Sequence, residues 1–463
     1  MDEEPRRTVL VAVQTPGVTD AALRAGLDEL TRLCETLGLE VIGEVVQKRP
    51  TLHFTVLGEG KLRELGKWTG GTGQLVTGPP KKRREAAAAA LLATEAEEAL
   101  LDAQTPDDPP SKRVKADFVV VDHELSPGQV KNLAQATGAS VFDRTAVIVE
   151  IFSRHASTRE SRLQVEIARL RYLAPRVRES GGDRQRGGIG GKGAGESQLE
   201  LDRRRVRDRI AQLKEELVEI EAERAVRRDR RREALTAALV GYTNAGKSSL
   251  MRALTGSQVL IADKLFATLD TTVRALQPET VPRLLITDTV GFIDKLPHDL
   301  VASFRSTLDA ALDASLLIYV VDASDPTFRA QFGVTRQTLH EIGAGEVPSL
   351  LALSKVDRLD EAQRAALRAE FPDAVLTSAV DAELTEVLRA AIVASFAASS
   401  VVEEIVLPYD RQNLIGLVRA SAEVLEESWD EGGVAYRLRA PRAALDGIRR
   451  ALGQVGSNDE ALR

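Results

Sequence analysis

"GYTNAGKSS", Gly241 to Ser249, decides how the middle of this chain folds. It fits the spacing G-x-x-x-x-G-K-[ST], follows the apolar run "LTAALV" and opens a helix-favouring stretch. A strand, a tight glycine turn and a helix in that order form a cradle for phosphate. Gly241 and Gly246 let the backbone wrap closely, and the loop N–H groups and helix N-terminus complement negative charge. Lys247 is placed for a β- and γ-phosphate, and the Ser248 hydroxyl for Mg²⁺. Tyr242, Thr243, Asn244, Ala245 and Ser249 complete the candidate contacts.

Working outward, "LLITDTVGF" (Leu284–Phe292) is a buried strand ending in Asp288, 41 residues after Lys247. Asp288 can hold Mg²⁺ through water, and Gly291 can offer its N–H to a γ-phosphate. Thr289 and Val290 lie between them. "LFATLDTTV" (Leu265–Val273) carries Phe266, Ala267 and three threonines, Thr268, Thr271 and Thr272. One threonine of a switch segment must ligate Mg²⁺ when the γ-phosphate is present. All three are candidates, and two of them would be ordinary strand threonines; Thr268 is set beside Ser248 and Asp288 as the metal ligand.

"LALSKVD" (Leu351–Asp357) supplies a base reader. The Asp357 carboxylate can accept from guanine N1–H and N2–H₂ together. Adenine would leave it unpaired, a large penalty. Lys355 can lay its stem along the base. "TSA", with Ser378 and Ala379, suits a backbone contact to guanine O6. These elements, in this order, predict a GTP/GDP site with Mg²⁺ on a P-loop α/β domain, its sheet mainly parallel with helices on both faces.

The remaining chain divides by texture. Residues 1–152 read as an α/β domain, with Leu23, Leu27, Leu30, Cys34 and Leu37 on one helical face and strands at Ala116–Asp122 and Ala139–Phe152. Residues 81–113 are an Ala-rich inserted helix and linker. Residues 153–232 read as a helical hairpin around a mobile basic loop, 176–195; eight glycines lie between Arg176 and Glu200. Leu199, Val206, Ile210, Leu213, Leu217 and Ile220 recur at heptad spacing, a seam that packs on the preceding helix. Residues 233–400 form the GTPase domain. Residues 401–463 form a small α/β appendage with a helix at Arg411–Leu425.

Charge is segregated. The chain carries −7 overall, yet residues 151–235 hold 22 Lys and Arg against 15 Asp and Glu, a net +7. A basic middle in an acidic chain predicts a local polyanion contact. A single cysteine excludes an internal disulfide, and no apolar run approaches the ~20 residues that span a bilayer. The expectation is a soluble cytoplasmic monomer without stable membrane insertion; a peripheral membrane contact remains compatible.

Longer strings carry a resemblance. "LEVIGEVVQKRP", "DHELSPGQVKNL", "RHASTRESRLQVEIARLRYL", "GGIGGKGAGESQLELDRRRVRDRI", "DTVGFIDKLPHDLVASFRSTL" and "VLPYD" resemble the HflX family of ribosome-associated GTPases over nearly the whole chain, apart from Lys81–Arg113. The resemblance implies a GTP-driven factor that binds the large ribosomal subunit and dissociates stalled or idle ribosomes in stress. It gives the basic 176–209 region, including Arg203, Arg204, Arg205, Arg207 and Arg209, rRNA phosphate as its partner.

Three departures follow from that comparison. Ser354 stands where the family has Asn, which tethers the base-reading strand to the phosphate loop. Ser197 replaces a usual Thr, and Thr271 a usual Pro. Phe292 stands where many GTPases carry the water-orienting Gln, so intrinsic hydrolysis should be slow and stimulated by the ribosome, with no certain catalytic residue in the chain. The alternative is a slow GTP-gated module that binds ribosome or RNA.

Overall fold

The computed structural model describes residues 6–52, 55–75, 115–176, 198–229, 235–257, 265–266, 271–294, 311–398 and 400–453. The inserted segment Lys81–Arg113, most of the basic loop 176–195 and Thr268 lie outside the described residues. The chain divides into two compact units, Met1–Ala156 with Arg162–Glu215, and Ser157–Ser161 with Glu216–Arg463.

The first unit is built on four parallel strands in the order β2-β1-β3-β4: β1 Arg6–Gln14, β2 Leu39–Lys48, β3 Phe118–Val121 and β4 Ser140–Asp143. Parallel strands covered on both faces read as unbroken apolar runs. "VLVAV" in β1 is buried throughout. Val9, Val11, Val45, Val119 and Val121 pack with Leu57, Leu62, Leu65 and Leu133. Cys34 is buried in the helix Asp20–Thr36. Burial pushes its thiol up to about 12, as befits a packing residue and not a nucleophile.

One expectation is overturned here. Arg144–Phe152 does not extend a strand; it belongs to a helix, Arg144–His155. Its β-branched run looked strand-like. Two signals decide otherwise. Asp143 caps the helix, accepting from Ala146 N at 2.8 Å. The buried positions Val147, Ile148, Ile151 and Phe152 fall on one helical face. The cap also places Arg144 in the interior, paired with Glu29 and, at 2.8 Å, with Asp122.

In the helical segment, the helices Arg159–Leu173 and Gln198–Asp229 are joined by an Arg209–Glu166 ion pair at 3.0 Å. Leu213 of the heptad seam is fully buried, and Val206 and Ile210 are half-buried. Arg204, Arg205 and Arg207 are exposed.

The second unit carries a six-stranded sheet in the order β10-β9-β8-β5-β7-β6. The strands are β5 Leu235–Val240, β6 Thr272–Ala275, β7 Leu284–Asp288, β8 Leu316–Asp322, β9 Ser349–Ser354 and β10 Val375–Leu376. Only β6 runs antiparallel, on β7. One face packs Ala237, Leu239, Ile286, Ile318 and Val320 against Leu250, Leu254, Leu388 and Ile392. The other packs Val321, Leu353 and Val356 against Phe328 and Leu367. The fold is therefore α/β, mainly parallel, with helices on both faces.

A three-stranded antiparallel sheet follows, β11 Val401–Leu407, β12 Glu423–Asp430 and β13 Gly433–Ala440, in the order β11-β13-β12, with the helix Arg442–Leu452 after it. The helix expected over Arg411–Leu425 is shorter, Ile415–Ser421. Ala422 is extended, and Glu423 pairs with Arg439. Pairing with β13 overrides the helix preference of "AEVLEE".

Arg144→Met would leave two buried carboxylates facing each other. It should destabilise the first unit by about 3–5 kcal/mol. Urea denaturation followed by circular dichroism reads the change; a midpoint equal to wild type would contradict the assignment.

Candidate functional site

The phosphate loop joins β5 to the helix Lys247–Thr255. Gly241 has no room for a side chain: a Cβ there would lie 2.1 Å from Val320 O. Gly246 caps the helix at φ +98°, a conformation glycine adopts without strain. The first N–H groups of any helix lack intrahelical partners, so the loop presents donors to an anion.

The loop carbonyls are held by named donors. Gly241 O accepts from Phe292 N at 3.0 Å and from Lys247 Nζ at 3.0 Å. Tyr242 O accepts from Lys247 Nζ at 2.8 Å. Asn244 O accepts from Lys355 Nζ at 2.7 Å, and Ala245 O from Ser354 Oγ at 2.6 Å. Asn244 itself sits at φ +60°. Of the intervening N–H groups, Thr243 N donates to Phe292 O at 2.7 Å and Ala245 N to Tyr242 O at 3.3 Å.

Lys247 is buried, and that burial pulls its ammonium down to about 8, against the opposing charge of Asp288. The like charge of Lys355 pushes in the same direction as burial. Ser248 Oγ donates to Asp288 Oδ2 at 2.7 Å. Thr289 fixes the strand end, donating to Leu239 O at 2.7 Å. Ser249 occupies the next position along the phosphate-loop helix.

Gly291 and Phe292 close on the loop. Thr243 N donates to Phe292 O at 2.7 Å, so Tyr242 and Phe292 form a short parallel bridge. Tyr242 Oη accepts from Asp294 N at 2.6 Å. A Cβ on Gly291 would meet Thr243 Cα at 2.8 Å and Lys247 Nζ at 3.0 Å, so only glycine fits there. Val290 and Phe292 are both buried. Phe266 is buried at φ +57°. Ala267 and Thr268 lie outside the described residues. Thr272 pairs with Asp288 across β6 and β7, an ordinary strand position, and Thr271 precedes it.

At the base reader, Lys355 turns the chain at φ +57° and presents Asp357 to solvent. Ser378 Oγ donates to Asp357 Oδ1 at 2.5 Å and so orients the carboxylate. Ala379 follows it, packed against the sheet core. Sequence reasoning did not single out Asp322, which holds Lys355 Nζ at 2.8 Å. Its signal was available: an acidic residue ends the apolar strand "LLIYVVD".

Ser354 answers the question its identity raises. Its hydroxyl reaches both Ala245 O and, at 3.0 Å, Val321 O. A hydroxyl has one proton and donates to one of them at a time. The tether to the phosphate loop is therefore present, without the second donor an amide would bring.

Profiles described as "GTP-binding GTPase N-terminal", "GTP-binding GTPase Middle Region" and "50S ribosome-binding GTPase" match residues 108–153, 155–231 and 236–355. A protein named GTPase HflX from Gluconacetobacter diazotrophicus is 56% identical over 447 residues, 96% of this chain and 97% of its own. GTPase HflX from Caldanaerobacter subterraneus subsp. tengcongensis is 35% identical over 439 residues, covering 94% and 91%. The crystal structure of a GTP-binding protein from Sulfolobus solfataricus in complex with GDP is 21% identical at a TM-score of 0.42, covering 84% of this chain and 98% of its own.

Two outcomes test this geometry. Ser354→Ala removes one net hydrogen bond to the loop and should weaken GTP and GDP binding by about 1 kcal/mol, roughly fivefold. Unchanged affinity in fluorescent-nucleotide titrations would place the tether elsewhere. As a phosphate ligand, Lys247 would act as the ammonium. Below pH 8 it is already charged. Above that, binding must take up a proton, so affinity falls as pH rises, by up to about tenfold per unit. Calorimetry at pH 9 in buffers of differing ionisation heat reads the uptake; none would contradict the shifted lysine.

Proposed function

The chain belongs to the HflX family of GTPases, and from that premise we propose that it couples GTP binding and hydrolysis to the large ribosomal subunit, dissociating stalled or idle ribosomes. The observation that carries this reading is the charge segregation. Arg204, Arg205 and Arg207 lie exposed on one helix of a chain that is acidic overall. Such a stripe suits RNA phosphate, whose contacts position a protein without reading sequence. The description of the profile matching residues 236–355 names the same kind of partner. We assign the contact to the basic 176–209 region, and take the chain to act as a cytoplasmic monomer.

In this reading the four segments divide the work. Residues 1–152 and 153–232 engage the subunit, 233–400 cycle nucleotide, and 401–463 form the C-terminal domain. Residues Gly241–Ser249, Asp288–Gly291 and the switch residues Phe266, Ala267 and Thr268 would surround the phosphates. Ser354, Lys355, Asp357, Ser378 and Ala379 would hold guanine.

The site's donors fit Mg²⁺. Ser248 Oγ and Asp288 Oδ2 lie 2.7 Å apart beneath the phosphate loop, and both are oxygen donors of the kind a hard cation takes. With Thr268 they would hold the ion, which screens the charge of the β- and γ-phosphates. Around it, Lys247 and the loop N–H groups bind phosphate, and Gly291 closes on the γ end.

Phe292 makes a slow enzyme. Its ring is buried, and its backbone is bridged to the phosphate loop. A phenyl ring offers neither donor nor acceptor to an attacking water. Acceleration then comes from groups that the ribosome supplies or orders. The same residue favours the second reading, a GTP-gated module that turns over little.

With GTP or a non-hydrolysable analogue, but not GDP, the protein should convert 70S ribosomes to subunits in sucrose gradients. Large subunits should raise GTP turnover; an unchanged rate would favour the gated module. Replacing Arg204, Arg205 and Arg207 with Ala should weaken subunit binding and flatten its salt dependence, by up to about one unit of slope for each phosphate no longer neutralised. An unaltered slope would place the RNA contact elsewhere.

A further inference from the structure

Phe292 leaves the chain without the side chain that usually orients the attacking water. A polar group of the phosphate loop is left without a role. The Thr243 hydroxyl is buried and has no hydrogen-bond partner among the described residues. A buried polar group without a partner costs about 1–3 kcal/mol, so its presence needs a reason.

Its surroundings supply one. The Thr243 Cγ2 methyl, on the same carbon as the hydroxyl, lies 2.8 Å from where a Gly291 Cβ would be. Lys247 Nζ lies 3.0 Å from that same point. The Thr243 backbone is fixed by its N–H donating to Phe292 O at 2.7 Å. Three groups thus converge. The Lys247 ammonium and the Gly291 backbone are γ-phosphate partners in the GTPase reading on which this inference rests, and Thr243 lies beside both.

We propose that the Thr243 hydroxyl is a catalytic residue of this GTPase, donating a hydrogen bond to the γ-phosphoryl group as it is transferred. In the reaction the water oxygen forms a bond to the γ-phosphorus. The bond from that phosphorus to the β–γ bridging oxygen breaks, and GDP leaves with the electron pair. The proton of water passes to the released phosphate, and the Thr243 proton stays on its oxygen. Charge on the equatorial γ-oxygens is what the hydroxyl stabilises. GDP has no γ-phosphoryl group and does not use it.

Thr243→Val keeps the shape and removes the hydroxyl; Thr243→Ser keeps the hydroxyl and removes the methyl. Single-turnover GTP hydrolysis by the full chain, with and without large subunits, should slow by roughly tenfold or more in the valine variant, as for loss of a hydrogen bond to a charged group. GDP affinity should stay within about twofold, and the serine variant should retain most of the rate. A valine variant as fast as wild type, or a serine variant as slow as valine, overturns the proposal. So does a valine variant whose GDP affinity falls with its rate, because that pattern is structural. Wild-type turnover in the same series tests the underlying reading: its absence sinks the GTPase assignment, whereas normal wild-type turnover with an unaffected valine variant sinks only the role of Thr243.

Discussion

A phosphate loop works only if its carbonyls are turned away from its ligand. Left alone, a glycine-containing turn samples many conformations, and its N–H groups point in as many directions. Here Gly241, Tyr242, Asn244 and Ala245 each give a carbonyl oxygen to a donor outside the turn: Phe292 N, Lys247 Nζ, Lys355 Nζ and Ser354 Oγ. Those donors come from three separate places in the sequence. The parallel sheet brings them together because β7, β5, β8 and β9 are spatial neighbours whose C-terminal ends lie on one edge. The proposed guanine reader is therefore also a structural support of the phosphate loop.

That double duty accounts for Ser354 and Lys355. Lys355 is held by Asp322 while it donates to Asn244 O, so the strand end of β8 fixes the lysine that fixes the loop. Ser354 supplies the adjoining tether with a shorter side chain than the family's Asn. Its single proton makes the choice between Ala245 O and Val321 O exclusive, whereas an amide carries two donors and an acceptor. Asp357, the proposed reader of guanine, is less exposed to this change, because Ser378 orients it independently.

The sheet and the phosphate loop were legible because their signals are local. A buried strand, a fixed motif spacing and a polar residue at a strand end all survive without tertiary information. Arg144–Phe152 failed for the opposite reason. A β-branched run fits strand and helix alike, and the deciding cap, Asp143, is a single residue. The end of the helix Ile415–Ser421 failed because β13 captured the next residues as a strand. Thr243 was legible only as one variable position of a motif. Nothing in the sequence states that its hydroxyl is buried and has no hydrogen-bond partner among the described residues.

The bridge between Tyr242 and Phe292 ties these points together. In many GTPases the residue after D-x-x-G faces the reacting phosphate with a polar side chain. Here that position contributes its backbone to the loop and its ring to the interior. A residue so committed cannot also orient water unless the bridge opens. Two backbone hydrogen bonds, Phe292 N to Gly241 O and Thr243 N to Phe292 O, join this position to the phosphate loop. A partner that shifts Asp294 or the chain beyond it would act on Tyr242 through the hydrogen bond to its hydroxyl, and through the bridge on Gly241 and Thr243. Phe in place of the usual Gln thus does more than remove a polar group: it commits this position's backbone to the phosphate loop.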